Sequence, residues 1–70
     1  MEKARKLADL EMTERHVAQG ARHLARQQEI IEEIERRGQD STDAKRLLHQ
    51  FEEIQALHIA HRDRLRAEPS

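Results

Sequence analysis

His58 and His61, in the run ALHIAHRDRL, have the i, i+3 spacing that places two side chains on one face of a helix. Two imidazoles so placed could ligate one metal ion, with an oxygen from Glu14 on a facing helix, or could respond together to protons. The same spacing also arises when wide, polar-tipped side chains fill an apolar stripe, and packing is the reading preferred here. Carboxylate-bridged metal bundles use Glu-x-x-His, and none of the five histidines has an acidic residue three positions before it. His58, His61 and Glu14 therefore stand as weak metal candidates only, and no cofactor is expected.

The other histidines carry less. His16 and His23 share a face but lie about 10.5 Å apart along a helix axis, too far for one ion within a chain. His49 falls away from the apolar stripes and is assigned no role. The dimerising hairpins of histidine kinases are similar in architecture, yet their histidine precedes an acidic residue or a patterned Arg and Asn stretch. Here the following residues are Val17, Leu24, Gln50, Ile59 and Arg62. Arg62, Arg64 and Arg66 form a basic run, but Asp63 and Glu68 dilute it and no aromatic lies nearby to stack on a base, so no nucleic acid partner is expected. With no phosphate loop, nucleophile elbow or dinucleotide fingerprint, the chain reads as a non-enzyme.

The elements that carry these residues are legible. Charged residues are 39% of the chain and hydrophobic ones 36%, with one aromatic (Phe51), two glycines and one proline, a composition of long amphipathic helices. From Lys3 to Arg37 there is no proline or turn cluster, while Leu7, Leu10, Val17, Ala21, Leu24 and Ile31 recur at helical spacings. Arg36 and Arg37 suit the negative end of a helix dipole, and Gly38 can take the left-handed conformation that closes a helix. Asp40 or Ser41 can cap the next helix, whose apolar line is Ala44, Leu47, Phe51, Ile54, His58, His61 and Leu65. The expected fold is all-α: one domain over 1–70, an antiparallel αα-hairpin with helix one about 3–37, turn 38–40 and helix two about 41–67. MEKARK sets cations at the positive end of the first dipole, so the first residues, like AEPS at the other end, are expected to fray.

If Ile34 faces Ala44 across the turn, the numbers of facing residues total about 78. Leu24 then faces Ile54, Gly20 faces His58, Val17 faces His61, and helix two ends opposite Met12. Leu7 and Leu10 would extend past any partner in their own chain. A second band on helix one contains Ile30 and Ile34, and Leu48 and Ile59 flank the stripe of helix two. Two helices cannot cover all of this, so Leu7, Leu10, Val17, Leu24 and Ile30, with Ile31, Ile34, Leu48 and Ile59, are expected to serve an interface. The expectation is a homodimer pairing into a four-helix bundle, or a protein partner.

A net charge of -1 gives no field to draw nucleic acid or an anionic membrane, and no cysteine means no disulfide or thiolate site. The amino end lacks an apolar run of signal-peptide length and no stretch of about 20 apolar residues occurs, so the expectation is no membrane and a cytoplasmic setting. The segment ERHVAQGARHLARQQEIIEEIERRGQDSTDAKRLL through FEEIQALHIAHRDRL resembles a group of short, uncharacterised bacterial helical proteins. That resemblance implies a bacterial cytoplasmic protein and assigns no activity. The function expected from the residues is a small interaction or structural module, with a metal- or pH-responsive bundle using His58, His61 and Glu14 as the alternative.

Overall fold

Unbroken helical periodicity on either side of one glycine produces two helices, α1 (Glu2–Arg36) and α2 (Thr42–Ala67), packed against each other in a computed structural model that describes residues 2–68. Met1, Pro69 and Ser70 lie outside the described residues, and with them part of the expected fraying. At the other end α1 is helical from Glu2, and Lys6 lies 3.7 Å from Glu68, the residue that follows α2. The dipole penalty of the leading cations does not unwind it.

The turn is built by its own residues. Gly38 has φ 70°, and the amides of Gly38 and Gln39 donate to the carbonyls of Glu35 (3.0 Å) and Ile34 (3.1 Å), the paired bonds of a Schellman closure. Asp40 caps α2, its Oδ1 accepting from the Thr42 amide at 2.9 Å and the Thr42 hydroxyl at 2.6 Å. Ser41 makes no side-chain cap; its hydroxyl donates to Glu35 Oε2 at 3.2 Å instead. Lys45 meets the same carboxylate at 3.1 Å, so one acidic side chain ties the end of α1 to the start of α2.

The molecule is a rod of 55 × 14 × 12 Å with a radius of gyration of 16.2 Å, where a compact chain of this length would have about 11 Å. Along the seam, α1 contributes Leu10, Thr13, Val17, Gly20, Leu24, Gln27, Ile31 and Ile34, and opposite them stand Ser41, the residue before α2, and Ala44, Leu48, Phe51, Gln55, His58, Arg62 and Leu65 of α2. Every one is buried or half-buried, at strictly alternating spacings of three and four.

This seam corrects the register drawn from apolar residues alone. His16 meets His58 and His23 meets Phe51, pairs whose numbers total 74, and Gly20 meets Gln55, totalling 75. The shift of three to four residues has three consequences. Gly20 is opposite Gln55 and not His58. Ile54 and Leu47 swing out of the seam to 51% and 41% exposure, and His61 is exposed with them. Leu10 does not overhang: it is half-buried and shares a cleft with Leu65, which leaves Leu7, at 57% exposure, at the rim.

Candidate functional site

Burial in this hairpin is inverted. Among the described residues Ile31 is the single buried hydrophobic side chain, while Thr13, Gln27, Ser41 and Gln55 are buried polar ones. Gln27 Nε2 donates to the Ala44 carbonyl at 2.9 Å and Gln55 Nε2 to the Val17 carbonyl at 2.8 Å, so two amides bridge the helices from opposite sides. The Thr13 hydroxyl turns back to the Asp9 carbonyl at 2.7 Å. Exposed instead are Leu7, Met12, Leu47, Ile54 and Leu57, the last at 71%.

Most of these exposed residues gather on one flank. His16, Gln19, Gly20 and His23 of α1 line a cleft with Phe51, Ile54, Gln55 and His58 of α2. Next to it, Met12, Thr13 and His16 line a second cleft with Leu57, His58, His61 and Arg64. His16 and His58 belong to both, their ring centroids 5.3 Å apart and planes inclined by 53°. His23 and Phe51 stand 6.1 Å apart at 39°. Four histidines, two from each helix, thus line an apolar flank, with His16 and His58 side by side at its middle.

The trio of His58, His61 and Glu14 is not what the structure brings together. Glu14 Oε1 accepts from Arg66 Nη2 at 2.8 Å, and the neighbour of His58 across the seam is His16. Among the described residues no three His, Asp or Glu side chains converge as ligands of one ion. His49 contacts Glu53 at 3.0 Å on the exposed side of α2. Of the nine residues expected at an interface, Ile31 is buried, Leu7 is exposed, and Leu10, Val17, Leu24, Ile30, Ile34, Leu48 and Ile59 are half-buried. Sequence reasoning missed Leu47, Ile54 and Leu57 as an exposed set because it placed the first two in the seam.

The charged surface is largely self-paired. Arg62 lies 3.1 Å from Asp63 and Arg66 pairs with Glu14, which neutralises much of the basic run near the end of α2. Around the turn, hydrogen bonding from Arg36, and then its charge, holds the Glu33 carboxyl below its ordinary range, with Arg37 adding to it at 3.0 Å. Lys45 lowers Glu35 in the same way, helped by Ser41, and the hydroxyl and amide of Thr42 lower Asp40. No helix among the described residues is long and apolar enough to cross a membrane. No family model matches this chain, and no curated protein or solved structure is significantly similar to it.

Proposed function

We propose that this chain is a non-enzymatic interaction module, a helical hairpin that pairs with a second copy of itself into a four-helix bundle. The observation that carries the reading is the exposure of Leu47, Ile54, Leu57 and Met12 on a hairpin in which, among the described residues, one hydrophobic side chain is buried. Ordering each residue costs on the order of 1.5 kcal/mol, and apolar burial is the main term that offsets it. A seam of this composition leaves much of that burial to a partner.

A second copy suits the flank because its middle carries no fixed charge. His16, Gln19, His23, Phe51 and Ile54 line it, so a twofold axis through the patch brings no like ionic charges into contact. The long, narrow rod favours lengthwise packing, the geometry of four-helix bundles. The clefts lie open to solvent along the rod, which leaves a reacting group unshielded and favours a contact surface over an active site. A cytoplasmic location and a bacterial origin are carried over as proposals from the reading of the sequence.

Sedimentation equilibrium across nanomolar to micromolar protein tests the pairing. A dimer that dissociates on dilution, with loss of helicity by circular dichroism, is the expected result. A folded monomer throughout that range overturns the reading.

A further inference from the structure

One position before each seam residue of α2 from Leu48 onward runs a second line with the same periodicity: Leu47, Gln50, Ile54, Leu57, His61 and Arg64, at strictly alternating spacings of three and four. All six are exposed. A helix with two adjacent lines of this kind is built for two neighbours, as in a four-helix bundle, and α1 covers only the first. The corresponding line of α1 has a different chemistry. Met12, His16, Gln19, His23, Arg26 and Ile30 put their apolar members at the ends and polar side chains between, whereas α2 has Ile54 and Leu57 at the middle.

We propose that the second copy lies antiparallel, its α2 against this α2 along the second line, with the two turns at opposite ends of the bundle. The arrangement rests on the self-association proposed above and adds which helices meet and in which direction. A twofold axis crossing α2 midway between Ile54 and Leu57 sets Ile54 against Leu57 of the second copy and the reverse, two apolar layers made from side chains that are 51% and 71% exposed in the hairpin. Gln50 then faces His61 of the second copy, a pair able to hydrogen-bond. Leu47 receives the aliphatic stem of Arg64 of the second copy, whose guanidinium reaches toward Asp43, one turn before Leu47. Charge decides the direction. Arg64 has no ion-pair partner among the described residues, and the Asp43 side chain is 97% exposed, in contact with Arg46 at 3.4 Å. Glu68 of the second copy also approaches Asp43, but it is compensated by its own Lys6 at 3.7 Å. On α1 the same axis passes near Gln19 and sets Arg26 over Met12 of the second copy, so no two fixed like charges meet on that line. Parallel α2 helices would instead set Arg64 against Arg64. The other parallel arrangement, α2 on α1 of the second copy, would set Ile54 and Leu57 against Gln19 and His16, since the register pairs residue numbers totalling 74 to 75.

The chain has no cysteine, so single Cys substitutions accept a nitroxide at one place only. Ala67→Cys, near the open end of α2 and outside the second line, reports the distance between copies by pulsed dipolar spectroscopy. Antiparallel pairing gives about 35 Å for this site from the helical rise, and parallel pairing about 20 Å or less, the width of two helices. Gln39→Cys, in the turn, should give about 50 Å by the same rise, and it carries the test if a label at residue 67 hinders pairing. Gln50→Cys and His61→Cys proteins should each form little disulfide alone and a disulfide-linked heterodimer when mixed. Short distances, or self-linked dimers from each single variant, overturn the antiparallel arrangement and leave self-association standing. Sedimentation equilibrium of the parent protein separates the two: a parent that stays a folded monomer overturns self-association and this arrangement with it.

Discussion

The amide of Gln55 lies over Gly20, so closely that a Cβ on residue 20 would overlap Oε1 and come within 2.7 Å of Cδ. A glycine in mid-helix costs about 1 kcal/mol relative to alanine, and here the missing side chain makes room for a buried amide that bonds the Val17 carbonyl. Gln55 Oε1 is itself buried and, among the described residues, has no hydrogen-bond partner. The pair therefore fixes register at some expense of stability, as polar groups at single heptad positions do in coiled coils.

Gly20→Ala tests that relationship through its coupling to Gln55. In the native background the helical gain of about 1 kcal/mol is set against a displaced amide and a lost hydrogen bond of about 1 kcal/mol, so stability should change little or fall. In a Gln55→Ala background the same change should stabilise by about 1 kcal/mol. Urea melts of the four proteins give the coupling. Equal stabilisation in both backgrounds would show that the amide does not hold the glycine in place.

Much of the fold was legible because the turn is local chemistry: RRGQD carries the left-handed glycine and the Asp40 cap within a few residues. The register was not, because an apolar stripe is a poor guide to a seam whose buried members include Thr13, Gln27, Ser41 and Gln55. Following leucine and isoleucine rotated α2 toward Leu47 and Ile54 and left out Gln55. The missed signal was the seven-residue interval, which links Gly20 to Gln27 and Leu48 to Gln55 regardless of polarity. The histidine flank was half visible: His58 was identified from its place on the stripe, but its partner His16 depended on a register that the apolar pattern misplaced.

Exposed and seam residues should separate in their response to charge. Leu57→Asp and Ile54→Asp lie outside the seam, so each should move the association midpoint at least about tenfold, or 1.4 kcal/mol, toward higher concentration. Leu24→Asp puts a charge in the half-buried seam and should lower helicity at every concentration. Analytical ultracentrifugation with circular dichroism distinguishes them. A Leu57→Asp protein that associates like the parent would remove this flank from the interface.

Gly38 offers a test of the turn alone. Nothing lies within 4 Å of a Cβ built there, so the penalty for Gly38→Ala is purely that of an L-residue at φ 70°, about 1 to 2 kcal/mol. Gly38→Asn should lose less, because asparagine tolerates that conformation better. Matching thermal melts for the two variants would place the strain elsewhere.

Acid should loosen the hairpin at its turn. Glu35 is the carboxylate that joins the helices at the turn, and Lys45 and Ser41 hold it below its ordinary value of 4.5. A carboxyl depressed in the folded state binds protons more readily when unfolded, so its contribution is present above that value and is lost as pH falls through the folded one. Asp40, lowered by Thr42, adds to the loss over a slightly lower range. Urea midpoints measured from pH 7 to pH 3 should hold steady and then decline below about 4.5, and the decline should be shallower in Glu35→Gln. Because Lys45 and Glu35 are about half exposed, high salt should weaken the same contribution at neutral pH. A Glu35→Gln profile superimposable on that of the parent would show that the clasp at the turn adds nothing to folding.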